Sequence, residues 1–385
     1  MAHGITPGQI RRTNRIQIYH YIYNHPNTSA QEICRDLSLS RPTVVRFLDD
    51  LLAEGLIRHS GLSDLDQVGR KPNAFSADKK HRYAAGISLT KDSADVRILN
   101  LYGETAAAEK EDIPLPENGI DSSYYDAVCN LVINTLRSAR IKEELLLGAD
   151  FAVPCPVSPD GEKVILPHPE GFADLASRGF QSRLPFSCSL IRDAGAAAAA
   201  EMSASPETDS ALYLSLSDHI GAALITDRRI FSGRYGHGSM VEHMQIRPGG
   251  RSCWCGKSGC FEAVLRADTL FDEGESPEDF FKKVRKGEEA CENKWHQYLV
   301  RLSRPLEMLL TLYDTQIIIG GTIGEKLIDN DFDYLYDCLK DRLIYDIPRD
   351  YLCRSYAGEG AVPRGAALPL IWNFLEDPGA GEHND

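Results

Sequence analysis

The residues best suited to chemistry lie in one short stretch, HMQIRPGGRSCWCGKSGC. Three thiols and one imidazole in the pattern H-x9-C-x-C-x4-C form a closed tetrahedral ligand set for Zn²⁺, and glycines in the same stretch allow the loop to curl around an ion. Because no coordination position stays open for a reactive water, we expect structural rather than catalytic zinc. Free cysteines in a loop remain the alternative. The predicted ligands are His243, Cys253, Cys255 and Cys260.

Elements typical of a DNA-binding module precede this stretch. Apolar residues at helical spacing predict a first helix over 14–24, which Pro26 ends. Thr28 or Ser29 is placed to cap a second, short helix, and Ser40 to begin a third. A strand and the basic segment Gly-Arg-Lys-Pro follow, and they predict a wing. Helix, helix-turn-helix and wing in this order predict a winged helix-turn-helix over 1–78, with a helical protein-interaction module as the alternative.

The predicted DNA contacts lie at the start of the third helix and in the wing. The polar face of that helix carries its basic and hydroxyl side chains near the N-terminal end, which a recognition helix presents to base edges and phosphates. Residues 1–82 contain 12 Lys and Arg against 8 Asp and Glu, whereas the whole chain of 385 residues has a net charge of −14. The basic end is therefore the part suited to nucleic acid. The predicted contacts are Ser40, Arg41, Thr43, Arg46, Arg70 and Lys71.

The rest of the chain predicts two similar α/β lobes that share a cleft. Strand-like runs alternate with helical ones, and the alanine-rich helix after Asp193 leaves that carboxylate at a strand-to-helix junction. Ligands of open α/β sheets bind beyond the carboxyl ends of strands, so Asp193 is a binding candidate, with a plain helix cap as the alternative. The predicted division is 1–78 for the DNA-binding domain, 79–205 for lobe 1, and 206–385 for lobe 2 with the zinc loop.

The sequence lacks an apolar run long enough to span a membrane, and its start lacks the apolar core of a secretory signal. We therefore expect a cytoplasmic protein without a membrane partner. In such a chain, scattered cysteines are expected to be buried thiols.

Taken together, the winged N-terminus, the glycine-bounded strands and the run Cys-Trp-Cys-Gly-Lys-Ser-Gly-Cys-Phe-Glu resemble the ROK family of repressors and sugar kinases. The resemblance covers nearly the whole chain. It implies an α/β fold in which a winged helix-turn-helix precedes an actin-like (ribonuclease H-like), two-lobed sugar kinase fold. It also implies a zinc site on the His and three Cys, and release of DNA when a sugar is sensed.

Two phosphate-binding loops of the family kinases are altered here. The Asp-x-Gly-Gly-Thr of the first hairpin corresponds to residues 88–92, Ser-Leu-Thr-Lys-Asp, and the Gly-Thr-Gly-Ile-Gly loop corresponds to residues 217–221, Ser-Asp-His-Ile-Gly. Bulky and acidic residues thus replace a cradle of free N–H groups. The glycines at 320 and 321 remain, but they also serve strand-turn packing. We expect no kinase activity and no catalytic residues.

The sugar pocket implied by the resemblance is half retained. Asp193 and Glu262 match sugar-binding carboxylates, and His243 lies against the sugar in family members. Met240 replaces a glutamate, whereas Arg192 and His168 replace asparagines. The hydrogen-bond donors and positive charge that these replacements add predict a preference for an anionic effector, such as a sugar acid or sugar phosphate held by Arg192. The alternative is that Arg192 pairs with Asp193 or Glu262. The predicted effector contacts are Asp193, Arg192, His243, Glu262 and His168.

The sequence therefore predicts a transcriptional regulator, most simply a repressor of carbohydrate-metabolism genes. It is expected to bind double-stranded operator DNA as a homodimer or homotetramer and to respond to a sugar or sugar-derivative effector. Two alternatives remain: a ROK sugar kinase with an added DNA-binding module, and a regulator controlled by a protein partner through the acidic body.

Overall fold

The computed structural model describes residues 6–62, 73–166, 171–272 and 274–379. Its first part is a small helical module closed by a three-stranded antiparallel sheet with the strand order β1-β3-β2. The elements are α1 (Pro7–Asn24), β1 (Thr28–Ser29), α2 (Ala30–Asp36), α3 (Arg41–Ala53), β2 (Ile57–Leu62) and β3 (Asn73–Ala77).

Side-chain caps set where the first two helices begin. Thr6 caps α1 through a reciprocal capping box with Gln9, so this helix starts at Pro7 rather than at the predicted residue 14. Of the two predicted candidates, Ser29 caps α2 in the same way with Glu32. The third helix begins directly after Ser40, but the Ser40 side chain makes no cap hydrogen bond. The predicted order of helices is thus confirmed, with an earlier first boundary.

Lobe 1 is built on a five-stranded sheet. Its elements are β4 (Tyr83–Leu89), β5 (Ala94–Asn100), β6 (Thr105–Glu111), α4 (Ser122–Ser138), a 3-10 turn (Glu143–Leu145), β7 (Leu146–Val153), α5 (Ser177–Gln181), β8 (Cys188–Arg192) and α6 (Asp193–Ala204). The strand order is β6-β5-β4-β7-β8, with the first three strands antiparallel and the last two added in parallel.

Lobe 2 repeats this arrangement. Its strands are β9 (Ala211–Leu216), β10 (Ile220–Thr226), β11 (Arg229–Ile230), β12 (Ile317–Gly320) and β13 (Leu352–Arg354). Its sheet has the order β11-β10-β9-β12-β13, again three antiparallel strands followed by two parallel ones. Its helices are α7 (Phe261–Leu265), α8 (Pro277–Arg285), α9 (Glu289–Tyr313), α10 (Gly321–Gly324), α11 (Asp329–Lys340) and α12 (Ala361–Glu376), with 3-10 turns at Val241–His243, Ala267–Thr269 and Arg349–Tyr351. The duplicated topology confirms the predicted two-lobed α/β fold.

The last helix, α12, crosses back to the first lobe. It packs along α6 and against β4, β7 and β5. At the crossing, a Cβ on Gly365 would lie 1.7 Å from the carbonyl oxygen of Ala196, so only glycine permits this approach of the two helices. The predicted division assigns 206–385 to lobe 2, whereas this helix lies on the sheet of lobe 1. The domain boundaries themselves stay predictions.

Each unit has its own apolar core. The largest cluster lies in lobe 2 around α9, a second lies between α4 and the sheet of lobe 1, and a third fills the winged-helix module. Across the described ranges, no helix is both long and apolar enough to cross a lipid bilayer.

Candidate functional site

The start of α3 presents a basic face to solvent. Arg41 and Arg46 are exposed, and neither has an ion-pair partner within the described part of the chain. Ser40 and Thr43 lie beside them, with their hydroxyl oxygens 2.8 Å apart. Four of the six predicted DNA contacts therefore lie together on one exposed helix end, which is the arrangement that base and phosphate contacts require.

The other two predicted DNA contacts, Arg70 and Lys71, lie outside the described residues. Strands β2 and β3, which flank residues 63–72, pair antiparallel, from Ile57 opposite Ala77 to Leu62 opposite Asn73. The strands of the predicted wing are therefore present, while its basic contacts stay a prediction.

The winged-helix module is docked on the body through α1. The Tyr23 ring stacks on Tyr102 with ring centroids 4.5 Å apart, and its hydroxyl donates to the carbonyl of Leu101 at 2.7 Å. The end of α12 completes the contact: His20 Nε2 lies 2.5 Å from the carbonyl oxygen of Leu375, and Phe374 packs on the module's core. The helix that crosses α6 thus also contacts the DNA-binding module.

The four predicted metal ligands converge in lobe 2. Their ligand atoms all lie within 4.8 Å of one another. Cys253 Sγ lies 3.7 Å from His243 Nδ1, and Cys255 Sγ lies 3.7 Å from Cys260 Sγ. The loop closes tightly because Gly259, at φ +70°, has no Cβ that would strike the carbonyl oxygen of Arg247. This His/Cys cluster could hold a metal ion.

Asp193 is the first residue of α6, as predicted. Its Oδ1 accepts the N–H of Ala194 at 2.6 Å, which leaves the second carboxylate oxygen for other partners. Burial raises the pKa of Asp193, and the nearby charge of Arg192 partly offsets this effect. Asp193 and Arg192 both line a small cavity of about 20 Å³ between the lobes, which has room for about one water molecule.

Arg192 has a partner that neither sequence interpretation named. Its Nη2 donates to Glu242 Oε1 at 2.8 Å, and the two side chains are 15% and 6% exposed. Its Nη1 lies 3.5 Å from the carbonyl oxygens of Gly238 and Ser239. Glu242 thus offsets the charge of this guanidinium in the described lining of the cavity, which weakens the argument for an anionic effector, while the charge of the effector stays a prediction.

Glu242 and His243 both line this cavity, and each has one buried polar atom without a hydrogen-bond partner among the residues that the structure describes. One is Glu242 Oε2 and the other is His243 Nε2. Buried polar groups are almost always paired, so these two atoms mark a position suited to a polar ligand. A metal on His243 Nδ1 would leave the proton on Nε2, making it a donor beside the carboxylate acceptor.

Glu262, Trp254 and His219 also line the cavity and connect it to the metal loop. Glu262, 2% exposed, accepts the indole N–H of Trp254 at 3.2 Å and lies 3.5 Å from His219 Nδ1. The Trp254 ring packs edge-on against His243 with centroids 4.7 Å apart. The structure thus brings Asp193, Arg192, His243 and Glu262 together, whereas His168 lies outside the described residues.

Both altered phosphate loops are closed by internal hydrogen bonds. In the first hairpin the N–H of Thr90 donates to the Ser93 carbonyl at 2.9 Å, and the N–H of Ser93 donates to Thr90 Oγ1 at 3.0 Å. In the second loop, Ser217 Oγ accepts the N–H of Thr322 at the start of α10, also at 3.0 Å. Backbone N–H groups of Thr90, Ser93 and Thr322 are thus used within the chain.

Sequence reasoning missed two residues of this cavity. Glu242 was overlooked because the family pattern places the acidic residue three positions before the histidine, where this chain has Met240. The 3-10 turn Val241–His243 instead buries the adjacent glutamate. His219 is interpreted from the sequence only as the replacement of a phosphate-loop glycine. In the structure this residue lines the same cavity. The signal for Glu242 was a carboxylate next to a predicted metal ligand.

Comparisons with known proteins agree with this architecture. The model of the ROK family matches residues 84–368, and a model described as winged helix-turn-helix DNA-binding matches residues 11–58. The transcriptional dual regulator NagC of Escherichia coli K12 is 24% identical over 340 residues, which cover 82% of each chain.

Two solved structures share the fold. A ROK family transcriptional regulator, described as a homologue of the E. coli MLC protein, superposes with a TM-score of 0.76 at 20% identity and covers 96% of this chain and 97% of its own. A ROK hexokinase from Thermus thermophilus has a TM-score of 0.63 at 22% identity and covers 77% of this chain and 99% of its own. With the family model matching most of its length, and with a winged helix-turn-helix ahead of two lobes of equal topology, the chain belongs to the ROK family.

Proposed function

We propose that this protein is a DNA-binding transcriptional repressor of carbohydrate-metabolism genes whose operator affinity is set by an uncharged sugar or sugar derivative bound between the lobes. The observation that carries the proposal is the pair of unpartnered buried atoms, Glu242 Oε2 and His243 Nε2, in a cavity shared with Asp193 and Glu262. A carboxylate acceptor and an imidazole N–H donor on adjacent residues suit the hydroxyl groups of a sugar, which can both donate and accept.

The charge of the cavity favours a neutral effector. Three carboxylates, on Asp193, Glu242 and Glu262, line it together with one guanidinium, on Arg192, which is already paired. A sugar acid or phosphate would add negative charge beside these carboxylates without a free cation to receive it. Hydroxyl groups can donate to carboxylates without that cost.

The size of the cavity supports a coupling between effector and DNA. A space of about 20 Å³ cannot hold a sugar, so binding requires a more open arrangement of the lobes. Because α6 starts at Asp193 and packs along α12, and α12 ends on the winged-helix module, a change in the lobes reaches the DNA-binding surface. A ligand that prefers the open form shifts this equilibrium, and 1–3 kcal/mol of coupling corresponds to about 5–150-fold in affinity.

The hydrogen bonds of the two altered phosphate loops support a regulator without kinase activity. Ser217 and Thr90, in the two loops that correspond to phosphate loops, engage neighbouring backbone N–H groups. The side chain of His219 lines the sugar cavity at a position where family kinases have glycine. The relatives include both kinds of protein, a dual regulator and a hexokinase, so the local chemistry decides between them.

We also propose that the His/Cys cluster holds Zn²⁺ as a structural ion. A tetrahedral ion with bonds of about 2.3 Å to sulfur separates two sulfurs by about 3.8 Å. The corresponding distance between Cys255 Sγ and Cys260 Sγ is 3.7 Å. When bound, zinc fixes the loop that carries His243 and Trp254; it supplies no reactive water, because all four positions are taken by the chain.

The assembly expected on DNA is a homodimer or homotetramer in the cytoplasm. Two winged-helix modules related by a two-fold axis would contact two half-sites of a palindromic operator. The basic wing residues Arg70 and Lys71 would then contact the DNA backbone or the minor groove beside each half-site.

The experiment is a mobility shift with full-length protein and the promoter DNA upstream of its own gene, at a fixed salt concentration of about 0.15 M because phosphate contacts depend steeply on salt. The panel contains neutral sugars, N-acetylated and free amino sugars, sugar acids and sugar phosphates. We expect one neutral compound to weaken DNA binding by about 5-fold or more. Tighter coupling of an anionic compound would contradict the charge argument.

Two variants separate the parts of the proposal. Asp193→Asn is expected to bind DNA normally and to lose the effector response, whereas Arg41→Ala is expected to lose DNA affinity and still to bind the effector in calorimetry. An ATP-consumption assay with the same sugars should show no turnover. DNA binding that ignores every compound would point to a protein partner, and the absence of any specific shift would refute the regulator.

A further inference from the structure

We propose that Val45 of α3 contacts the 5-methyl group of a thymine in the operator, and so contributes sequence specificity beyond the charged contacts. This inference rests on the proposed DNA-binding function. Val45 is 40% exposed, whereas the other apolar residues in the first turns of α3 lie in the module's core. Within the described part of the winged-helix module, Val45 and Ile10 are the exposed large aliphatic side chains.

A single exposed apolar side chain needs no explanation by itself, so its surroundings carry the argument. Val45 lies beside Arg41 and Arg46 on the solvent face of the helix, and these residues line one shallow open groove together with Pro42, Asp49 and Asp50. Both arginines lack an ion-pair partner in the described ranges, so they are available to phosphates or to guanine. Val45 is therefore an apolar side chain next to two cations that can hold the start of the helix in the major groove, with two carboxylates at the far end of the same groove.

The far half of α3 limits where DNA can lie. Asp49 is exposed, and Asp50 pairs with Arg11 at 3.5 Å, so the outward face turns acidic one turn after Arg46. Phosphates are repelled there, which confines the DNA contact to the first turns of the helix. Val45 lies one turn after Arg41 and one turn before Asp49, where the basic part of this face meets the acidic part.

The chemistry identifies the base feature that Val45 suits. In the major groove the thymine C5-methyl is an apolar group on a base edge, and apolar side chains read it by direct contact. Burying one methyl-sized group is worth about fourfold in an equilibrium constant. The contact therefore adds discrimination between thymine and the other bases without a hydrogen bond.

The test begins with selection of a preferred site from random duplexes by the full-length protein. Each thymine of that site is then replaced, one at a time, by deoxyuridine, which keeps base pairing and removes only the methyl group. We expect wild-type protein to lose about threefold to fivefold in affinity at one thymine per half-site. Val45→Ser should bind thymine and deoxyuridine equally there, while Val45→Ile should keep the methyl preference.

A matched control is Ile10→Ser, which removes the other exposed aliphatic side chain and should leave the deoxyuridine profile unchanged. Because Val45 is on the surface, the melting temperature of Val45→Ser should equal that of the wild type. A methyl preference that survives in Val45→Ser, or a selected site without any methyl-sensitive thymine, overturns this inference alone. If the wild type selects no sequence at all, the proposed DNA-binding function fails with it.

Discussion

The buried pair between Arg192 and Glu242 makes a quantitative prediction about the cleft. At 2.8 Å the gross attraction is about 6 kcal/mol for an effective dielectric constant near 20, but desolvation of both groups offsets most of it. Removing one partner of a fully buried pair costs about 3–5 kcal/mol. The Arg192 side chain is 15% exposed to solvent, and a glutamine at position 242 could still accept a hydrogen bond from it. We therefore expect Glu242→Gln to lower the free energy of unfolding by about 2–3 kcal/mol.

Urea denaturation of the full-length protein measures this loss, and a thermal scan should show a melting temperature lower by about 5–10 °C. The matched control is Glu376→Gln, which removes the partner of Arg229 in an exposed pair at 3.7 Å and should change the free energy of unfolding by less than about 0.5 kcal/mol. The double variant Arg192→Met/Glu242→Gln should be less destabilised than the sum of its single changes. Additive costs, or a cost for Glu242→Gln no larger than that of the control, would refute the pairing argument.

Three further predictions follow from other parts of the body. Cys255→Ser should lose the bound zinc in metal analysis and at least ~3 kcal/mol of stability, whereas Cys338→Ser, outside the cluster, should keep the metal. Burial raises the pKa of Asp150 to about 6. The folded state therefore holds its proton more tightly than the unfolded state, and stability falls as pH rises from about 4 to 6; Asp150→Asn should flatten this dependence and stabilise the protein at pH 7.5 by about 2–3 kcal/mol. Gly365→Ala should force α12 away from the carbonyl of Ala196 and lower the melting temperature, as thermal scans would show.

Each of these three has a distinct contrary result. Retention of zinc by Cys255→Ser would mean that this thiol is no ligand. An Asp150→Asn variant with an unchanged pH profile would show that another group titrates in that window. For the helix crossing, Gly8→Ala is the comparison, since its Cβ would have no neighbour closer than 4.0 Å and alanine favours the helix; equal stability of the two variants would exclude the crossing as a tight contact.

Local signals in the sequence were sufficient for much of the fold and for part of the site. Ser29 caps its helix where the pattern predicted, because a capping box involves residues three apart. Asp193 stands at the strand-to-helix junction for the same reason: strand and helix periodicities meet there. The metal ligands lie close along the chain, so their spacing alone predicted their convergence.

Features that depend on distant segments could not be predicted in this way. Arg192 and Glu242 are 50 positions apart, and only the tertiary fold brings them together. The return of α12 to lobe 1 is also a long-range contact without a local signature. The expected anion preference counts the charge of Arg192 without the carboxylate that the fold places beside it, and it stays untested.

The position of α12 has a consequence for biosynthesis. Among the described elements it is the last to leave the ribosome, yet it covers β4, which emerges near the beginning of the body. Until then, the apolar surface on that side of the first sheet, including Ala84 and Leu99, lacks its cover. The nascent chain thus exposes this surface to aggregation and to chaperones until α12 has been translated, and the DNA-binding module cannot complete its docking contacts before then.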